Sequence, residues 1–128
     1  MRKYAPEIKS NLEHALANLQ AAKESLGHGD YDAAASRAAE SAFHTGSILL
    51  LDEEIETSKH GVVITLIQEI FVNGRRLTKE QGGNLTWLFA LRTAEDRGKI
   101  AQITAEEAHK AVEIAGSFFD AARVILEA

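Results

Sequence analysis

The chain has 128 residues, of which 45% are hydrophobic and 26% charged, with a formal net charge of -5. That is enough apolar material for one packed domain over 1–128, and it excludes a disordered chain. The acidic balance argues against a dedicated phosphate-backbone binder, and the absence of cysteine excludes disulfides, thiolate metal sites and a cysteine nucleophile.

The N-terminal stretch carries charges throughout and has no apolar core of a signal peptide. The longest apolar run, 48–51, is far too short to span a bilayer. A cytoplasmic, soluble protein with no membrane contact is expected.

The first predicted helix covers about 6–26. Ile8, Leu12, Ala15, Leu19, Ala22 and Leu26 recur in steps of four and three, one stripe of an amphipathic helix. Gly27 and Gly29 stop it. The second helix covers about 30–53, with Asp30 as N-cap and Tyr31, Ala34, Ala38, Ala42, Thr45 and Leu49 on one face. Its end is apolar all round, which predicts burial there.

The third segment, 59–73, has enough β-branched residues to resemble a strand. Its length and the i, i+4 spacing of Val62, Val63, Leu66, Ile67, Ile70 and Phe71 favour helix. The fourth, 78–97, opens with Thr78 and Gln81, a capping box. Gly82 and Gly83 weaken its first turn, so a firm helix is expected from Asn84. The fifth, 104–126, opens with the capping box Thr104 and Glu107 and repeats the spacing of the first helix. The two outer helices could pair antiparallel. The predicted fold class is all-α, an antiparallel up-and-down bundle of about five helices.

Two constellations could carry chemistry. On the second helix, Arg37, Glu40, Ser41 and His44 form a polar stripe. By spacing alone it reads as a solvated face with an Arg37–Glu40 pair; read functionally, it lines a cleft with an acid, a base and a hydroxyl. On the fourth helix, Arg92 follows Leu88 and Phe89 by four and three residues, with Asp96 one turn on. That is either an ion pair at the rim of the core or a guanidinium held for phosphate recognition. Arg75, Arg76 and Lys79 make a small basic loop that reads as solvated charge, and Trp87 reads as a core or interface residue. His14, His28, His44, His60 and His109 are scattered, without HxxxH or HExxH spacing, so neither a metal site nor a cofactor is implied.

Three stretches together resemble the HEPN superfamily. They are 27–44, from Gly27, His28, Gly29 and Asp30 to Ala42, Phe43 and His44; 59–74, from Lys59, His60 and Gly61 to Phe71, Val72, Asn73 and Gly74; and 88–96, from Leu88 to Asp96. A closing helix with Glu106, Glu107, Phe118 and Phe119 follows. The likeness covers about 10–126 and is strongest to small stand-alone prokaryotic members. It implies a helical bundle that forms homodimers, RNA cleavage, toxin–antitoxin pairing and nucleotidyltransferase-type partner proteins. Cleaving members carry an arginine followed, after four to six residues, by a histidine. The arginine maps to Arg92, while the histidine would fall where this chain has Arg97, Gly98 and Lys99. The branch usually shows an Asp-Tyr pair where this chain has Asp96 and Arg97, and two tyrosines where it has Ala39 and Glu40.

The leading expectation is therefore a dimeric binding module without the usual catalytic histidine, for a nucleotidyltransferase-type partner, a nucleotide or RNA. Arg92 would contact the anion, Asp96 would orient it, and Arg37, Glu40 and His44 would line the cleft, with His60 and Arg97 as weaker candidates. The alternatives are a ribonuclease toxin using His44 or His60 as a non-standard base, and a structural assembly module.

Overall fold

The computed structural model describes residues 3–96 and 103–127, the side chains of 92–96 excepted. The helices are α1 (Ala5–Gly27), α2 (Tyr31–Asp52), α3 (His60–Leu66), α4 (Lys79–Asp96) and α5 (Ala105–Glu127), and a π-helical segment, Ile67–Val72, prolongs α3. No strand occurs among the described residues, and none of their helices is long and apolar enough to cross a membrane. The fold class expected from the sequence is the one observed.

Local signals set the helix ends. Asp30 accepts a hydrogen bond from the Ala33 N–H at 3.3 Å. Thr78 and Gln81 exchange side chain–backbone bonds at 2.7 and 3.0 Å, as Thr104 and Glu107 do at 3.0 and 3.1 Å. Each pair satisfies amide donors that the first helical turn leaves open. Between α1 and α2, Gly29 takes φ +76°, a left-handed conformation that suits glycine.

α2 is the central helix and packs on α1, α3, α4 and α5. Its burial is not confined to one face. Ala34, Ala38, Ala39, Ala42, Ser41 and Thr45 are all fully buried, because alanine and hydroxyl side chains let neighbouring helices approach from several sides. Ile8 near the start of α1 clusters with Ile48 and Leu51 at the end of α2, and Leu126 at the end of α5 packs on that cluster. At the opposite end, the Ile103 N–H before α5 donates to Asp32 in the first turn of α2 at 3.0 Å. α1 therefore runs antiparallel to both α2 and α5.

Two glycines bring elements unusually close. A Cβ on Gly46 would lie 2.9 Å from Val63 Cγ1, so its absence lets α3 settle onto α2. A Cβ on Gly82 would lie 2.6 Å from Gln68 Oε1 and 2.9 Å from Val72 Cγ2. Gln68 instead donates to the Gly82 carbonyl at 2.8 Å and to Thr86 Oγ1 at 3.2 Å. This contact corrects the expected late start: α4 is helical from Lys79, since the tertiary contact at Gly82 offsets the low helix propensity of the pair. The basic loop is also anchored, for Arg76 pairs with Glu53 at 3.0 Å and covers the Phe71 ring at 4.2 Å. Trp87 is half-buried beneath Lys110 of α5, whose Nζ is 4.2 Å from the ring centroid.

Candidate functional site

The stripe on α2 is a seam against α1 rather than a solvated face. Ser41 is fully buried and donates to the Ala15 carbonyl at 2.7 Å. Arg37 is exposed and donates to Asn18 Oδ1 at 3.3 Å. His44 is half-buried, with Nδ1 2.8 Å from Asn11 Oδ1. Asn11, Ala15 and Asn18 recur at steps of four and three on α1, which places them opposite Arg37, Ser41 and His44.

The Asn11 amide is pinned: its Nδ2 donates to the Glu7 carbonyl at 2.9 Å. Its Oδ1 must therefore face His44, and an amide oxygen only accepts. Hence Nδ1 of His44 carries the proton of the neutral ring, and Nε2 carries the lone pair. That Nε2 lies 3.7 Å from Glu40 Oε2. The other oxygen of the same carboxylate, Oε1, is 3.5 Å from His60 Nε2. Buried from solvent, His60 Nε2 makes no hydrogen bond of good geometry. Glu40 thus stands between two imidazoles, one from α2 and one from the first residue of α3.

Aromatic contacts complete the cluster. The His60 ring stacks on Phe43, and Phe43 meets His44 edge-on with centroids 5.5 Å apart. His14, exposed on α1, tilts over His44 at 5.2 Å. Burial, and next the charge of His14, hold the His44 imidazole below its ordinary value of 6.5. Glu40 opposes that shift and His60 adds to it. That shift favours the neutral ring at neutral pH, with the Nε2 lone pair on the side of Glu40.

An open groove of about 440 Å³ adjoins the cluster, bordered by Asn11 and Phe43 on one side and by the loop after α2 on the other. Among the described residues, no group of three or more His, Asp or Glu side chains could hold a metal ion.

The structure brings together Glu40, His44 and His60 and sets Arg37 at the α1 side of the same seam. Arg92 and Asp96 lie on α4, which packs on α2; their side chains lie outside the described residues, as does Arg97 altogether. Sequence reading missed Asn11, His14 and Phe43 as site residues. The spacing of Asn11 and Asn18 around Ala15 was the available signal, because amides interrupt an apolar stripe where a neighbour must be hydrogen-bonded.

The family model for the HEPN domain matches residues 8–125. A protein of Methanocaldococcus jannaschii, whose name designates it a candidate toxin, is 32% identical over 114 residues, which cover 89% of this chain and 84% of that protein. With the helical bundle described above, these matches establish that the chain belongs to the HEPN family.

Proposed function

We propose that the chain is a toxin-type ribonuclease that uses His44, His60 and Glu40 in place of the family's missing histidine. The observation that carries this reading is the Asn11–His44–Glu40–His60 array, in which the pinned Asn11 amide fixes the His44 tautomer with Nε2 unprotonated. The candidate-toxin relative supports it.

In this reading, His44 Nε2 takes the proton of a ribose 2′-hydroxyl, and the freed oxygen attacks the adjacent phosphorus. The 5′-oxygen leaves with a proton delivered by Nδ1 of His60, since Nε2 is turned inward toward Glu40. The products are a 2′,3′-cyclic phosphate and a 5′-hydroxyl end. Glu40 orients both rings and balances positive charge as the proton moves. Arg92 and Asp96 are assigned from their place in the family pattern as the anion contact and its orienting partner, and Arg37 as a further phosphate contact at the seam. The protein acts in the cytoplasm as a homodimer.

The test is cleavage of total RNA by purified protein, with His44→Gln, His60→Gln and Arg92→Ala beside the wild type, in EDTA and in magnesium. Cyclic-phosphate ends are expected, with a loss of roughly 100-fold or more in His44→Gln. A wild type that leaves RNA intact, or a His44→Gln variant that cuts equally well, overturns the reading.

The second reading is the dimeric binding module for a nucleotidyltransferase-type protein or a nucleotide. It is favoured by the net charge of -5 and by Arg97, Gly98 and Lys99 where a histidine would stand. Intact RNA together with Arg92-dependent capture of a nucleotidyltransferase-type protein would support it.

A further inference from the structure

We infer that the groove beside the two histidines is a guanine-reading subsite, an inference that rests on the ribonuclease reading. The groove shares two walls with the catalytic array. Asn11 holds His44, and Phe43 carries His60. A ring seated in the groove is therefore next to the phosphodiester on which those histidines act.

The lining determines what kind of ring. Leu50, Leu51 and Ile55 give an apolar surface, and Glu7 and Glu56 stand at its edges. Among the described residues no lysine or arginine lines it, so a phosphate would meet two carboxylates there and no counter-charge from them. An uncharged planar base that offers hydrogen-bond donors fits both the apolar surface and the carboxylates. Among the four RNA bases, guanine alone presents two adjacent donors on one edge, N1–H and N2–H. That spacing matches the two oxygens of one carboxylate. Unpaired RNA bases are commonly read on this edge.

The loop wall is built rather than loose. The Ile55 N–H donates to the Leu50 carbonyl at 2.8 Å, the Lys59 N–H donates to Thr57 Oγ1 at 3.3 Å, and Arg76 holds Glu53 at 3.0 Å. Glu56 therefore sits on a segment fixed on both sides, and Glu7 sits on the first turn of α1. At about 440 Å³ the groove is within the range of roughly 300–1,000 Å³ of small-molecule sites.

The experiment uses short single-stranded oligonucleotides with one ribose, so that one linkage can be cut, flanked by guanine, hypoxanthine, adenine, cytosine or uracil. Hypoxanthine keeps N1–H and lacks the 2-amino group. Cleavage beside guanine should exceed cleavage beside hypoxanthine or adenine roughly tenfold, as for a bidentate base contact. The ratio should fall toward one in Glu7→Gln or Glu56→Gln. Equal cleavage beside all five bases, or a ratio that survives in both variants and in the double variant, overturns the inference. Binding of the all-deoxy versions, followed by fluorescence anisotropy, separates the two readings. Guanine-selective binding that is lost in the glutamine variants, without any cleavage of the ribose-containing set, would retain the subsite and remove the ribonuclease. Binding without base preference would remove the subsite whatever the cleavage result.

Discussion

The imidazole of His60 lies flat on the ring of Phe43, with centroids 3.8 Å apart and planes 17° from parallel. Phe43 directly precedes His44, so two consecutive residues of α2 position both histidines, one as its own side chain and the other through a stack. Phe43→Leu keeps an apolar side chain in the core and removes the flat surface. It should cost about 1 kcal/mol in stability, read as a fall of a few degrees in Tm. RNA cleavage should fall roughly tenfold through misplacement of His60. Unchanged cleavage with the expected Tm loss would show that the stack only supports the core.

Stability should decline in mild acid. The folded protein holds His44 below 6.5, its value in an unfolded chain. Below about 6.5 the unfolded state therefore binds a proton that the folded state resists, so stability falls with pH until the folded value is passed and stays lost below it. The groups facing His44 are His14, Glu40 and His60. Denaturant melts at pH 7.5 and pH 5.5 should show a smaller pH-dependent loss in His44→Gln than in the wild type. An equal loss in both would place the acid sensitivity elsewhere.

Gly46→Ala should destabilise despite alanine's better helix propensity. The new methyl would meet Val63 Cγ1 at 2.9 Å, and Val63 is a buried, β-branched side chain with little room to turn. Overpacking of about 1–3 kcal/mol outweighs a propensity gain of about 1 kcal/mol. Val63→Ala alone should also destabilise, by leaving a cavity. The double variant should be more stable than the sum of the two losses predicts, and an additive cycle would show that the two sites do not touch.

Ser41→Ala should cost about 1 kcal/mol, the net value of a buried neutral hydrogen bond, because Ser41 Oγ donates to the Ala15 carbonyl at 2.7 Å across the α1–α2 seam. Chemical denaturation at neutral pH would measure it. A change of several kcal/mol would mean that the seam itself had come apart.

The helix ends could be read from the sequence because their signals are local. Asp30, Thr78 with Gln81, and Thr104 with Glu107 each bond backbone within three residues. The π-helical segment at Ile67–Val72 gave no such local signal, and its Gln68 bonds instead across to Gly82 and Thr86 of α4. The candidate site was half visible. Glu40, His44 and His60 stood among the candidates, but a stripe read along one helix says nothing about what covers it. That cover comes from α1, and Asn11 gains meaning only when placed against His44.

α3 and the π-helical segment that prolongs it run over 60–72, a length marginal for a helix without neighbours. Its first residue, His60, is held by the Phe43 ring, while Val63 sits over the notch at Gly46. The long pairing of α1 with α2 does not pass through α3, so fraying of its first turn would separate His60 from Glu40 and leave that pairing in place. If the array is the ribonuclease site proposed above, it can be disarmed without denaturation, and an inhibitor that captured the frayed turn would need no contact with His44 at all.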